Sequence, residues 1–526
     1  MTAGAEFKSV IPEPKPLHLP RPWTDDVVYM VLLDRFHRAN PAGQGGPEPQ
    51  GPWHGGSLAG LRAKLDYLCG LGVTALWVSP VFANQQDGFH GYWPVDHFAV
   101  DPRFGTMEEL KGLVHDCHDR GLKVLLDMVV NHAGYEHPMA KDPARKDWFH
   151  RGQSIRWVDQ RSLERGSLHG LPDFAQEKKE VARYLIDMAL WWIDRTGVDG
   201  FRLDAVKHVP ASFWKLFSKE IHDRFPEFFL MGEVFRGVPR YISRYQREDG
   251  IDSVLDVPFA DTVRSALARD CEEPGPSLWS RLRELSREYR TMLFNEIVRK
   301  IFARRPTDMR WFSKLLECED AYARPELLAT FIDNHDLSRF LSEAGGSKAR
   351  LRLALSVLMS WRGIPVITYG TEAGMAGLTE GSNRAPMSFG ADPELEDFTR
   401  RLVRLRRGVS AFARGRQVEL LADREVFAFL RDDHETRAVC AANNSRHAQT
   451  RVLPLPRENK PAVWLDAVSG ERVIERKGIL ELRLAPCSAR ILVVGWRVGQ
   501  AGTSERLLAF RPGSIKRRTR RGADPA

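Results

Sequence analysis

Between Val27 and about Gly370 the chain repeats one pattern eight times: a short, almost wholly apolar run, then an amphipathic helical stretch. The runs are VVYMVLLDRF (27–36), ALWVSP (75–80), KVLLDMVV (123–130), GFRLDA (200–205), FFLMGEV (228–234), SVLDVPF (253–259), ATFIDNHD (329–336) and GIPVITYG (363–370). Such strands offer no polar face to water, so both faces must be covered, as in a parallel sheet wrapped by helices. Eight is the number of βα units that closes an α/β chain into a (β/α)8 TIM barrel.

Two stretches break the spacing. Roughly 70 residues separate Asn131 from Gly200, too many for one crossover even with DFAQEKKEVARYLIDMALWWIDRTG as its helix. The surplus, 132–172, is predicted to be a small inserted subdomain over the strand ends. After a last barrel helix near 393–408 come short alternating runs (EVFAFLRDD, TRAVCAANN, AVWLDAV, ILELRLAP, SARILVVGW), which predict a C-terminal antiparallel β-sandwich over 411–497. The barrel then takes 25–131 and 173–410, leaving an N-terminal extension (1–24) and a basic tail (498–526). The stretch 260–325 reads as helical and Arg-rich, with no chemistry attached.

No apolar run approaches the roughly 20 residues that cross a bilayer, and the Pro-rich start lacks a secretory pattern. A cytoplasmic protein without membrane contact is expected, with secretion left open. Of the +8 net charge, about half sits in the tail from Pro512 onward, where Lys516, Arg517, Arg518, Arg520 and Arg521 face only Asp524. That reads as a solvated end, so no nucleic-acid partner is expected. Six cysteines with no CxxC pair predict free, mostly buried thiols.

In barrels of this kind chemistry gathers at the C-terminal ends of the strands. Here those ends carry Asp127 with Asn131 and His132, then Arg202 with Asp204, then Glu233, then Asp333, Asn334, His335 and Asp336. Arg202 and Asp204, two apart on a strand, point the same way, so the guanidinium can orient the carboxylate as a nucleophile. Glu233 follows 29 residues on, one βα unit later. Beside an ionised Asp and flanked by Met231 and Phe235, an unpaired Glu233 would keep the proton that a general acid needs. Adjacent strands set the two carboxyls near the roughly 5 Å of a retaining glycosidase. Asp336 can stabilise an oxocarbenium-like transition state, while His132 and His335 can donate to sugar hydroxyls. Tyr92, in GFHGYWPVDHF, offers a flat face for a pyranose ring; Trp191 and Trp192, mid-helix, read as packing.

These segments resemble the α-amylase family of glycoside hydrolases (family 13). DMVVNH (127–132), LPDF (171–174), GFRLDAVKH (200–208), GEVF (232–235) and FIDNHD (331–336) fall in the family's order, and HGYWPVDHF and GIPVITYGTEAGM resemble further segments. The resemblance, over about Val27 to Trp496, implies Asp204 as nucleophile, Glu233 as acid/base and Asp336 as stabiliser. It also implies substrate contacts at Tyr92, His132, Arg202, Lys207 and His335. A structural Ca2+ would map onto Asn131, Asp173 and the His208 carbonyl, with no organic cofactor. In wording the chain is most similar to α-amylases, maltogenic amylases and cyclodextrin glucanotransferases. The expected activity is hydrolysis of α-1,4 bonds in maltooligosaccharides or starch-like α-glucans. The alternatives are transglycosylation, action on sucrose or trehalose, and a silent glycan-binding subunit.

Overall fold

The computed structural model describes residues 20–39, 52–271, 307–456 and 462–494. The N-terminal extension up to residue 19, residues 272–306 of the Arg-rich stretch, and the basic tail lie outside them. The barrel begins with β1 (Val28–Val31), β2 (Ala75–Val78) and a small hairpin, β3 (Phe82–Asn84) with β4 (Pro94–Val100). It continues through β5 (Lys123–Met128), β6 (Gly200–Leu203), β7 (Phe229–Gly232), β8 (Ser253–Val254), β9 (Ala329–Thr330) and β10 (Ile364–Thr368). Apart from the hairpin these strands form one parallel sheet in the order β8-β7-β6-β5-β2-β1-β10-β9, and a bridge from Leu255 to Ala329 joins its ends. Every residue of β1, β2, β5, β6 and β7 is buried, as covering both faces requires.

Several strands are shorter than the apolar runs predict. Leu33–Phe36 is a helical turn, and in SVLDVPF the strand covers only Ser253–Val254, with a single bridge at Leu255 beyond it. The rest of that run starts the helix Val257–Leu267, where the Asp256 side chain accepts from the Phe259 N–H and Pro258 stands in the first turn. In ATFIDNHD only Ala329–Thr330 pairs, and the acidic half leaves the sheet. An apolar run cannot by itself separate a strand from a buried helix. The β3–β4 hairpin has no counterpart in the sequence reading.

Between β5 and the helix Lys179–Thr196 the chain makes short turns of helix (Pro138–Lys141, Pro143–Trp148, Gln160–Arg165). Bridges His132 to Asp173 and Phe149 to Phe174 pin this excursion at its base.

The C-terminal sheet runs β11-β12-β13-β18-β15-β16, with β14 and β17 paired apart from it. Its strands are β11 (Arg416–Ala422), β12 (Val426–Asp432), β13 (Arg437–Asn443), β14 (Gln449–Pro454), β15 (Val463–Asp466), β16 (Arg472–Ile474), β17 (Ile479–Leu484) and β18 (Ser488–Val494). Along β12, Val426, Ala428 and Leu430 pack into this domain's own core, while Phe427 and Phe429 join the barrel's core beside Trp361. Both faces are thus buried, which explains a run without polar alternation. Arg431 donates to the Ser360 carbonyl and Arg406 to those of Trp361 and Gly363, filling acceptors at and just past the end of the helix Lys348–Ser360, and Arg431 also meets the Gly415 carbonyl after the helix Ser410–Arg414. The six cysteines form no disulfide among the described residues, but only Cys117, Cys271 and Cys440 are buried, fewer than expected. Trp192 is fully buried and donates to the His97 carbonyl, and Trp191 packs half-buried against it. Among the described residues no helix is long and apolar enough to cross a membrane.

Candidate active site

Parallel pairing of β6 with β7 sets Leu203 opposite Gly232, so the next rung sets Asp204 beside Glu233. The ladder continues there, with the Glu233 N–H donating to the Leu203 carbonyl at 2.8 Å. Neighbouring strands are about 4.8 Å apart, and side chains on one rung share a side. At the centre lies Arg202, fully buried. Its Nη1 donates to Asp204 Oδ1 (2.8 Å) and to both oxygens of Asp127 (2.9 and 3.1 Å), and its Nη2 pairs with Glu233 Oε1 at 2.6 Å. Two carboxylates gripped by one planar fork lie within about 8 Å of each other, which admits the spacing of a double displacement.

The expected division of labour needs one correction. Glu233 is not unpaired: besides Arg202 it accepts the Ala205 N–H at Oε2, 3.0 Å away. Arg202 therefore serves three acids rather than Asp204 alone. Burial pushes the Asp204 carboxyl up, Arg202 pulls it down, and the charges of Glu233, Asp127 and Asp336 raise it again. Burial likewise lifts Asp127, to about 6, against the pull of Arg202. Asp204 and Asp127 thus each hold a proton more tightly than an exposed carboxyl does, because the low-dielectric pocket penalises their charge more than Arg202 relieves it.

The second half of the pocket comes from the loop after β9. Asp336 pairs with Arg384 Nη2 (3.0 Å) and His335 Nε2 (3.3 Å). The His335 ring lies parallel to Tyr92, with centroids 5.3 Å apart and 6° between the planes, and Trp77 meets it edge-on. Tyr92 ties the halves together, because its hydroxyl donates to Asp127 Oδ2 (2.8 Å), which also accepts from Trp77 Nε1 (2.9 Å). The turn that presents Tyr92 needs glycine: Gly91 has φ +88°, and a Cβ there would sit 2.1 Å from the Pro80 carbonyl oxygen. His132 Nε2 lies 3.0 Å from the Tyr92 carbonyl. Burial lowers His132 to about 4 and His335 well below its ordinary range, so both are neutral near pH 7.

Lys207 sits in the turn after Asp204, where its Nζ donates to the Phe235 carbonyl (3.2 Å) and lies 5.2 Å from the Trp157 ring centre. Gln160 of the excursion bonds both the Lys207 carbonyl and the Tyr241 hydroxyl. Excursion, β6 loop and β7 loop thus form one wall. Arg384, Trp77 and Trp157 went unnoticed in the sequence. Only Trp77, inside a strand run, left any signal there; the others stand in loops without periodicity.

Asn131 and Asp173 meet at the base of the excursion, where the Phe174 N–H donates to the Asn131 carbonyl. Asn131 Oδ1, Asp173 Oδ1 and Gln176 Oε1 are buried without a hydrogen-bond partner among the described residues. Unsatisfied hard oxygens fit a Ca2+ donor set. The other Asp173 oxygen is held by His150 Nδ1 at 2.6 Å, and burial lifts Asp173 to about 7 against that bond. His208 is buried, its Nδ1 lying 3.1 Å from the Leu163 carbonyl of the excursion.

A family profile described as the alpha amylase catalytic domain matches residues 30–404, and one described as the maltogenic amylase C-terminal domain matches 418–491. The chain is 32% identical over 500 residues to the beta/alpha-amylase of Paenibacillus polymyxa, covering 90% of this chain but only 38% of that one. To neopullulanase 2 of Thermoactinomyces vulgaris it is 30% identical over 492 residues, covering 89% and 77%. Among solved structures, the α-amylase of Geobacillus thermoleovorans in complex with acarbose matches with TM-score 0.79 at 36% identity, over 90% of this chain and 99% of that one.

Proposed function

Because this chain belongs to the α-amylase family of glycoside hydrolases, we propose that it hydrolyses α-1,4 bonds of maltooligosaccharides or related α-glucans by a retaining double displacement. Asp204 attacks the anomeric carbon while Glu233 gives its proton to the departing glycosidic oxygen. The sugar remains esterified to Asp204; Glu233, now a base, takes a proton from water, and the oxygen of that water displaces Asp204 from the face the leaving group vacated. Asp336 opposes the positive charge of the oxocarbenium-like transition states. Tyr92 stacks under the ring, neutral His335 can donate to its hydroxyls without adding cationic charge, and His132, its one N–H turned to the Tyr92 carbonyl, holds that loop in place. Lys207 contacts the sugar beyond the cleaved bond.

The observation that carries this reading is the Arg202 fork on Asp204 and Glu233, which aims two acids from adjacent strands at one point. Transfer to a sugar acceptor is the second reading, favoured by the wall of Lys207 and Trp157, where an acceptor could compete with water. A bound Ca2+ would be held by Asn131, Asp173 and the His208 carbonyl. Its role there would be structural, fixing the excursion to the strand end that bears His132. Chromatography of maltoheptaose digests tests the proposal: shorter maltooligosaccharides are expected from the native protein and none from Asp204→Asn. Turnover that survives Asp204→Asn would refute it, and products longer than the substrate would move the assignment to transfer.

A further inference from the structure

We propose that Arg384 is a positioning residue for this reaction, fixing the Asp336 carboxylate against its own backbone; the inference rests on the role given to Asp336 above. The same guanidinium meets Asp336 Oδ1 through Nη2 (3.0 Å) and the carbonyl of the preceding residue, His335, through Nε (2.8 Å). A planar fork that holds a side chain and the adjacent main chain at once restricts how that side chain can turn. Asp336 needs such a restraint. Its side chain is 34% exposed, and its other ion-pair partner among the described residues, His335 at 3.3 Å, is uncharged.

Arg384 is itself held from behind. Its side chain is 8% exposed, and Arg35, from the turn after β1, donates through Nε to the Arg384 carbonyl at 2.8 Å. The neighbouring Asn383 donates to the carbonyls of His335 (3.1 Å) and Leu337 (2.7 Å). Arg339 closes the weave, its Nε on the Asn383 carbonyl and its N–H on the Gly377 carbonyl, both at 2.8 Å. The loop after β10 is thus laced to the loop after β9, and among the described residues Arg384 is the member of that lacing that reaches a reacting-site carboxylate. On the far side its Nη1 pairs with Glu380, which is 74% exposed.

A displacement of about 1 Å in a charge-stabilising group costs on the order of a hundredfold in rate. Arg384→Ala is therefore expected to lower kcat about a hundredfold on a chromogenic maltooligosaccharide, with KM within about threefold and the melting temperature within a few degrees. Free guanidinium should restore about tenfold of the lost rate to Arg384→Ala and none to the native protein. Arg384→Lys, a point charge without the fork, should fall between the two, and Glu380→Gln should stay within about twofold of native. A folded Arg384→Ala with native kcat overturns the proposal, as does a loss that neither guanidinium nor lysine relieves, which would mark a role in folding alone. If Arg384→Ala does not fold, Arg384→Lys decides: native kcat overturns the proposal, and a lowered kcat with unchanged KM supports it. An inactive native protein would instead strike at the functional reading itself.

Discussion

The Ala205 N–H points at Glu233 Oε2 from 3.0 Å, and Ala205 reaches that position in the left-handed region, with φ +50° and ψ +35°. An L-residue with a Cβ holds such a backbone at a cost of about 1 kcal/mol, a strain that the surrounding ladder sustains. Branching at Cβ sharpens the clash. Ala205→Val is expected to lower stability by about 2 kcal/mol and kcat by tenfold or more, because the amide can no longer meet Glu233. Ala205→Gly should keep most of the rate. Thermal melts and kcat for the pair measure both effects.

Tyr92 has separable functions. In Tyr92→Phe the ring still faces the pocket, but Asp127, fully buried, loses one of its donors. A loss of about 1–3 kcal/mol in stability with KM little changed is expected. Tyr92→Ala removes the stacking face too, and KM should rise about tenfold. Denaturant unfolding and initial rates on one substrate separate the two.

Asp249 is a pH-sensitive liability far from the chemistry. It is buried, and neither carboxylate oxygen has a hydrogen-bond partner among the described residues; Lys215 Nζ stands 4.0 Å away. Burial raises its carboxyl to about 6, against the pull of Arg244 and Lys215 and with Glu248 and Glu164 adding to the rise. The folded state thus binds this proton more tightly than the unfolded chain does. The favourable contribution is complete below about pH 4 and is lost as pH climbs through about 6. Asp249→Asn should gain about 2 kcal/mol at pH 7 and nothing at pH 4, as melting curves at the two pH values would show.

If the orphaned oxygens of Asn131 and Asp173 take up a cation, Ca2+ should raise the melting temperature and a chelator should lower it. Asn131→Ala should lose most of that difference. A melting temperature indifferent to Ca2+ in the native chain would remove the ion from the account.

The barrel was legible because its strands are buried on both sides and so read as continuous apolar runs. The carboxylates were legible because they interrupt those runs. Where the chain leaves the sheet was not legible, since Val257 and Phe259 are as apolar in a helix as in a strand. The partners of the acids were hidden for a different reason. Arg384 reaches Asp336 across 48 residues and Trp77 reaches Asp127 across 50, distances over which no local pattern carries information. The sharing of Arg202 among three acids follows from three-dimensional crowding, which a strand-by-strand reading treats as separate pairs.

Trapping the covalent intermediate tests the assignment most directly. An activated fluorinated α-glucosyl donor, which slows release of the glycosyl group more than its formation, should leave one sugar on the native protein. Peptide mapping by mass spectrometry should then place it on Asp204, with no adduct formed by Asp204→Asn. A label on Glu233 or Asp336, or an inverted anomer as the first product seen by proton NMR, would contradict the account.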